Sequence, residues 1–319
     1  MLLRSGRDME FFLNNGESDY LLVAFGEIAF LADGRNYWAR PMIERRNINA
    51  IGIAARTPNW FPHADLEEFV AEHRDLLDRF AGRIVLVGHS MGGYGAIKYS
   101  GLFGATTVVT TAPQYSLDRS ILPNDKRPPI PYFRPELHTG IEPRPEELSG
   151  EIYIFYDLYH SSHPQADAFA AMNLPRIHIF NTPSIGHEVM NIFASNDGLV
   201  ELVDLCRKGD ADEIGRFVHE RRRALPLRIA TLALRAAARR PDLAIRIYEA
   251  NKRRFPPMFI AFLSERLRTT RPGAAEKLLR DALARDPRLA DRHPAVSRLL
   301  ALRGRPAEAQ ALVTTLPPI

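Results

Sequence analysis

The chain has very little cysteine and no long apolar segment. Cys206 is the only cysteine among 319 residues, which excludes an internal disulfide framework and fits a reducing compartment. No apolar run approaches the roughly 20 residues that a membrane-spanning helix needs, and residues 1–10 lack the apolar centre of a signal peptide. The sequence therefore predicts a cytoplasmic protein without a membrane span.

Metal-site patterns are also missing. Asp157, His160, His163 and Asp167 lie close together along the chain, but their spacing matches no helical or hairpin set of metal ligands. We therefore expect no metal ion and no other cofactor.

Charge is distributed unevenly. The net charge of +4 combines +11 in residues 201–319, from 25 Lys and Arg against 14 Asp and Glu, with −7 in residues 1–200. This asymmetry favours two domains. The arginines of the basic half are spread around helical patterns with few aromatic residues between them. We therefore expect a solvated helix surface and no nucleic-acid partner, and docking on an acidic polymer is an alternative that rests on charge alone.

The most informative motif follows an apolar run at 84–87. The sequence GHSMG at 88–92 matches G-x-S-x-G, and a helix-like stretch comes next. Strand, sharp turn and helix are the context of a nucleophile elbow, in which the serine hydroxyl stands at the top of the sheet. Ser90 is therefore the predicted nucleophile, and a glycine-rich turn without chemistry is the alternative.

With its sequence GHSMGG, this elbow resembles that of the α/β-hydrolase superfamily, and the resemblance covers about residues 10–205. It implies an α/β fold in which the catalytic partners of Ser90 follow it in the order acid, then histidine.

The alternation of strands and helices independently predicts a mostly parallel sheet covered by helices on both faces. Strands are expected at 10–13, 20–25, 48–54, 84–87, 106–111, 152–156 and 176–181. Helices are expected at 40–46, 65–80 (with Asp65 as N-cap) and 91–100.

A serine hydroxyl needs a histidine to accept its proton and a carboxylate to orient that histidine. The resemblance places the histidine on the loop after the last strand, which implies His187. It places the acid after the strand at 152–156, which implies Asp157, while Asp167 stays an alternative. His89, inside the elbow, is expected to have a structural role.

Two backbone N–H groups are needed to stabilise the oxyanion of an acyl-transfer intermediate. The resemblance implies Met91, which follows the nucleophile, and either Gly26 or Glu27 in the loop after the strand at 20–25. The superfamily often has His-Gly in that loop, whereas this chain has Phe25-Gly26.

Residues 113–150 are rich in proline, which removes donors and blocks helix interiors. The resemblance implies a lid-like insertion at this connection. Tyr115, Tyr132, Phe133 and Arg134 are candidate substrate-binding residues, which would favour an anionic or sugar-like substrate. A surface loop packed by its own aromatic side chains is the alternative.

Beyond the catalytic domain, predicted as residues 1–207, we expect a separate all-α domain at 208–319. Arg-Pro recurs at 240, 271 and 305, at offsets of 31 and 34 residues, and each proline suits the first turn of a helix. The recurrence predicts a helical-hairpin repeat domain and resembles tetratricopeptide repeats, although the aromatic landmarks of that repeat are mostly absent. A compact helical bundle is the alternative.

These features predict a serine hydrolase that cleaves an ester or thioester through an acyl-Ser90 intermediate. Its substrate would be a small-molecule or glycan-linked ester. An acyltransferase uses the same residues. The alternative of a different class is a protein-binding scaffold, in which the hydrolase fold is catalytically retired and the helical repeats hold a protein partner.

Overall fold

A computed structural model of the protein describes residues 1–125, 132–194 and 197–289. The chain divides into two compact units, Met1–Arg221 and Arg222–Ile319. No helix in the described ranges is both long and apolar enough to cross a bilayer.

The first unit is built on an eight-stranded, mostly parallel sheet. Its strands are β1 (Leu2–Ser5), β2 (Met9–Asn14), β3 (Leu21–Phe25), β4 (Asn49–Ala55), β5 (Ile84–His89), β6 (Thr107–Thr111), β7 (Glu151–Tyr156) and β8 (Ile177–Asn181). They lie in the order β1-β2-β4-β3-β5-β6-β7-β8. The β1–β2 and β2–β4 pairs are antiparallel and the other pairs are parallel. The predicted mostly parallel sheet is thus confirmed.

The helices of this unit alternate with the parallel strands. They are α1 (Arg40–Arg45), α2 (His63–Glu72), α3 (Arg74–Asp78), α4 (Met91–Lys98), α5 (Ser100–Phe103), α6 (Pro135–His138), α7 (His163–Ala171) and α8 (Gly198–Lys208). A ninth helix, α9 (Ala211–Ala224), contains the division between the two units. Central strands β3 and β5 are buried along their whole length, as expected of strands covered on both faces.

The register of the central strands determines where the site forms. Phe25 at the end of β3 is opposite Gly88 near the end of β5. Thr111, which ends β6, is opposite His89, which ends β5. The loops that leave these strands therefore meet at the carboxyl edge of the sheet, where open α/β sheets bind their ligands.

The single helix predicted at 65–80 is interrupted at His73, so that α2 and α3 take its place. The His73 ring stacks on Phe69 at 4.5 Å, and its Nδ1 lies 3.1 Å from the Phe69 carbonyl oxygen. The His73 backbone N–H donates to the same carbonyl oxygen at 3.0 Å, so backbone and side chain meet at one acceptor where α2 ends.

The prediction that Asp65 is an N-cap is wrong, because Pro62 occupies that position. The buried carboxylate of Asp65 accepts the backbone N–H groups of Asp8, at 2.7 Å, and Met9, at 3.1 Å. It therefore anchors the turn between β1 and β2, a long-range contact that no local pattern reveals.

The described part of the second unit contains helical hairpins. Helix α10 (Pro226–Arg239) pairs with α11 (Pro241–Asn251), and α12 (Pro257–Leu267) pairs with α13 (Pro272–Arg285). Their buried residues form one apolar cluster that includes Ala233, Tyr248, Leu263 and Leu279.

The turns before α11 and α13 are alike. Arg240 has φ −138° and ψ 66°, and Arg271 has φ −141° and ψ 64°. Each is followed by a proline in the first helical turn, as the sequence pattern predicts. The third Arg-Pro, at Arg305, lies outside the described residues. The domain boundary at 207/208 and the likeness to tetratricopeptide repeats stay predictions.

Candidate active site

Ser90 occupies a strained turn between β5 and α4. It is the N-cap of α4, with φ 54° and ψ −114°, and a positive φ outside glycine is uncommon and costs energy. Its N–H donates to the Thr111 carbonyl oxygen at 3.0 Å. The turn therefore fixes the serine at the carboxyl edge of the sheet.

Gly88 and Gly92 permit this turn because the backbone passes too close for a side chain. A Cβ atom on Gly88 would lie 2.1 Å from the Gly92 carbonyl oxygen, and one on Gly92 would lie 2.3 Å from the Phe25 carbonyl oxygen. The start of α4 is therefore packed directly against the end of β3.

His187 contacts the predicted nucleophile. Its Nε2 atom lies 2.9 Å from Ser90 Oγ, across 97 positions of sequence. The loop that carries it runs from the end of β8 to a 3₁₀ turn at Val189–Ile192. A histidine at this distance can accept the serine proton.

Asp157 holds the loop on which His187 lies. Its carboxylate is fully buried directly after β7. Oδ2 accepts the backbone N–H groups of Ile185, at 3.0 Å, and Gly186, at 2.8 Å. These two residues precede the histidine, so Asp157 fixes the backbone on which the histidine ring is carried.

Asp167, the alternative acid, is not among the described residues that bond to the histidine loop. It is on α7, its side chain is 65% exposed, and its Oδ2 is 3.7 Å from His163 Nε2. The geometry therefore favours Asp157 over Asp167 as the partner of the histidine loop. In the described ranges, no three His, Cys, Asp or Glu side chains converge as a metal site requires.

The two predicted sources of the second oxyanion donor differ in their hydrogen bonds. The Gly26 N–H donates to the Ile53 carbonyl oxygen at 2.8 Å. Within the described residues, the N–H groups of Glu27 and Met91 donate to no protein atom. The N–H group of Gly26 is thus occupied by a hydrogen bond to the sheet. Glu27 remains the candidate for the second oxyanion donor, beside Met91.

His89 is buried between the elbow and β6. Its Nδ1 lies 3.0 Å from the Thr111 carbonyl oxygen and 2.9 Å from Thr111 Oγ1, which agrees with the structural role expected for it. Burial lowers the pKa of His89 to about 4, so the ring is neutral at neutral pH. Its centroid is 5.1 Å from that of His187.

The side chain of Glu27 is a feature that the sequence analysis missed. Its Oε2 lies 3.9 Å from His89 Nε2. Burial, followed by the negative charge of Glu188, raises the pKa of Glu27. Only the backbone of Glu27 was predicted to matter, and no local signal in the sequence places its carboxylate beside the elbow.

The four predicted substrate-binding residues differ in their surroundings. The Tyr115 ring meets Phe169 of α7 edge-on at 5.2 Å. Phe133 lies 6.1 Å from the ring of His138, whose Nδ1 accepts the Arg134 N–H at 2.9 Å. The Tyr132 side chain is 43% exposed. Their role in substrate binding stays a prediction.

No protein-family model and no curated protein sequence matches the chain. Among solved structures, the chain is similar to the capsule O-acetyltransferase of Neisseria meningitidis serogroup A, at 14% identity and a TM-score of 0.45, over 64% of this chain and 92% of that one. It is similar to a putative esterase from Staphylococcus aureus, at 15% identity and a TM-score of 0.45, over 66% and 82%. It is also similar to an esterase from Thermogutta terrifontis, at 18% identity and a TM-score of 0.43, over 65% and 88%. At these identities the similarity is one of fold alone.

Proposed function

We propose that the protein is a serine hydrolase that cleaves an ester or thioester through an acyl-Ser90 intermediate. The observation that carries this proposal is the 2.9 Å contact between His187 Nε2 and Ser90 Oγ. The two residues come from separate loops at one edge of the sheet.

Each proposed residue has a defined step. His187 takes the proton of Ser90 as Oγ bonds to the substrate carbonyl carbon, and the N–H groups of Met91 and Glu27 stabilise the oxyanion. His187 then gives that proton to the departing alcohol or thiol as the ester bond breaks. Water, deprotonated by the same histidine, attacks the acyl carbon; the bond from that carbon to Oγ then breaks, His187 returns the proton to Oγ, and the acid is released.

Asp157 serves as the acid of this triad in our proposal. Its support is the pair of hydrogen bonds to Ile185 and Gly186, which hold the histidine loop at the end of β7.

Acyl transfer to an alcohol or sugar would use the same residues, with the acceptor hydroxyl in place of water. The helical hairpins of the second unit are proposed to resemble tetratricopeptide repeats and to hold a protein partner.

The variant Ser90→Ala tests the proposal. Hydrolysis of short activated esters should fall by at least about a thousandfold, because the attacking atom is removed. The melting temperature should change little, since one small hydroxyl is lost. Ser120→Ala, at an exposed position, is the matched control and should keep full activity. Turnover that survives Ser90→Ala would remove this serine from the mechanism.

A further inference from the structure

The tautomer of His89 follows from its hydrogen bonds. Nδ1 faces the carbonyl oxygen of Thr111 at 3.0 Å, and a carbonyl can only accept, so Nδ1 carries the hydrogen. In the neutral ring, Nε2 is then a lone-pair acceptor. The residue is only 3% exposed, and within the described residues Nε2 makes no hydrogen bond.

That lone pair faces a second acceptor. Glu27 Oε2 lies 3.9 Å from His89 Nε2, and we call the space between these two atoms the gap. When the Glu27 carboxyl group is ionised, neither atom carries a hydrogen. The Glu27 side chain is 31% exposed, so solutes can reach it. Two acceptors in this position are complementary to a group that donates hydrogen bonds.

The charge around the gap is negative. Glu188, the neighbour of His187, adds its field to that of Glu27. In the part of the chain that the structure describes, neither carboxylate forms an ion pair with Lys or Arg. A cation that entered this gap would therefore meet carboxylates that no Lys or Arg of the described residues neutralises.

The gap also adjoins the proposed reacting groups. His89 directly precedes Ser90, and its ring centroid lies 5.1 Å from that of His187. A substrate whose carbonyl is held at Ser90 can thus place a nearby substituent against Glu27.

We infer that His89 Nε2 and the Glu27 carboxylate form a subsite that binds a protonated amino group of the substrate. The inference deepens the proposed function, because it names the substrate class of the same site. It differs from the anionic or sugar-like preference predicted from the proline-rich segment.

Three thioacetates of nearly equal shape test the subsite. The 2-(dimethylammonio)ethyl ester carries charge and an N–H donor, the 2-(trimethylammonio)ethyl ester carries charge alone, and the 3,3-dimethylbutyl ester carries neither. We expect kcat/KM to fall in that order. The difference between the first and the last should be about tenfold or more, since a hydrogen bond to a charged group is involved.

Glu27→Gln should remove most of this preference, because the glutamine amide donates to His89 Nε2 itself and carries no charge. Glu17→Gln, at an exposed position in the turn before β3, is the matched control and should keep the preference. Equal turnover of the three esters, or a preference that persists in Glu27→Gln, would overturn the subsite. Ser90-dependent turnover of the neutral ester would still support the proposed hydrolase.

A binding measurement separates the two proposals if no ester is turned over. 2-(Dimethylammonio)ethanol should shift the His89 imidazole ¹⁵N signals of the full chain, and 3,3-dimethylbutanol should not. Glu27→Gln should abolish that shift. If the ammonium compound leaves the His89 signals unchanged, the subsite is wrong regardless of catalysis.

Discussion

At the scale of single residues, Asp157 joins the sheet to the histidine loop. Its carboxylate accepts three backbone N–H groups, from Tyr159, Ile185 and Gly186. The same group thereby fixes the loop of His187 to the end of β7.

Asp157→Asn and Asp167→Asn should therefore differ strongly. The asparagine NH₂ group cannot accept hydrogen bonds, so Asp157→Asn should displace the histidine loop and lower kcat for activated esters by about a thousandfold. Asp167→Asn changes an exposed residue of α7 and should leave kcat within about twofold. Steady-state kinetics of both variants check this, and the reverse pattern would assign the acid to Asp167.

The sequence predicted the residues whose roles follow from local order, and it left open those that depend on register. Ser90 was predicted because the strand, turn and helix around it are readable from nearby residues, and His187 was predicted from the order of strands and loops that the family resemblance implies. The choice between Gly26 and Glu27 was not, because the bond from Gly26 to Ile53 depends on how β3 pairs with β4. The contact between Glu27 and His89 likewise joins residues far apart in sequence.

His89 should make stability depend on pH. Burial lowers the pKa of His89 from 6.5 to about 4. Between pH 6.5 and 4, the His89 ring is therefore protonated in the unfolded chain but neutral in the folded chain. The contribution of neutral His89 to the free energy of unfolding is therefore complete above pH 6.5. As the pH falls towards 4, the free energy of unfolding decreases by about 3 kcal/mol.

Thermal or urea unfolding of the protein and of His89→Gln between pH 4 and 8 measures this contribution. Glutamine does not titrate, so the variant should lose less stability on acidification than the unchanged protein. Parallel pH profiles for the two proteins would contradict the assigned cause.

At the scale of elements, close approach of α4 to β3 builds the elbow. Gly92 meets the backbone of Phe25 and Gly26, so the first turn of α4 and the loop with Glu27 are positioned together.

The proline-rich segment is held by α7. The buried Gln165 of α7 accepts the N–H groups of Tyr115, at 2.6 Å, and Ser116, at 3.1 Å.

Gly92→Ala should damage both stability and activity. Its Cβ would lie 2.3 Å from the Phe25 carbonyl oxygen, so backbone must shift, at a cost of about 1–3 kcal/mol. Gly215→Ala in α9 is the control, because no atom lies within 4 Å of its added Cβ. That change should stabilise the protein by about 0.5–1 kcal/mol. Melting temperatures that move in the same direction for both variants would contradict the packing at Gly92.

At the scale of the whole molecule, α9 belongs mainly with the first unit. The Phe217 ring stacks on Phe193 at 6.3 Å, and Arg221 forms a 2.7 Å ion pair with Glu201 of α8. The sequence boundary at 207/208 rests on a change of charge and on the Arg-Pro recurrence beyond it, neither of which reports packing.

Two truncated chains should therefore behave differently. A chain that ends at Ala224 keeps the contacts of Phe217 and Arg221, and we expect it to fold and hydrolyse activated esters. A chain that ends at Lys208 exposes the surface under α9 and should be less stable by at least about 2 kcal/mol. Urea unfolding compares the two. Equal stability would show that α9 adds nothing to the first unit.

The central claim is that Ser90 is a nucleophile activated by His187. A fluorophosphonate forms a stable bond only to such a serine, and peptide mass spectrometry locates the bond. We predict one phosphonyl group per chain, attached to Ser90, with no labelling of Ser90→Ala and much slower labelling of His187→Ala. A folded chain that stays unlabelled, or that is labelled at another residue, would contradict the claim.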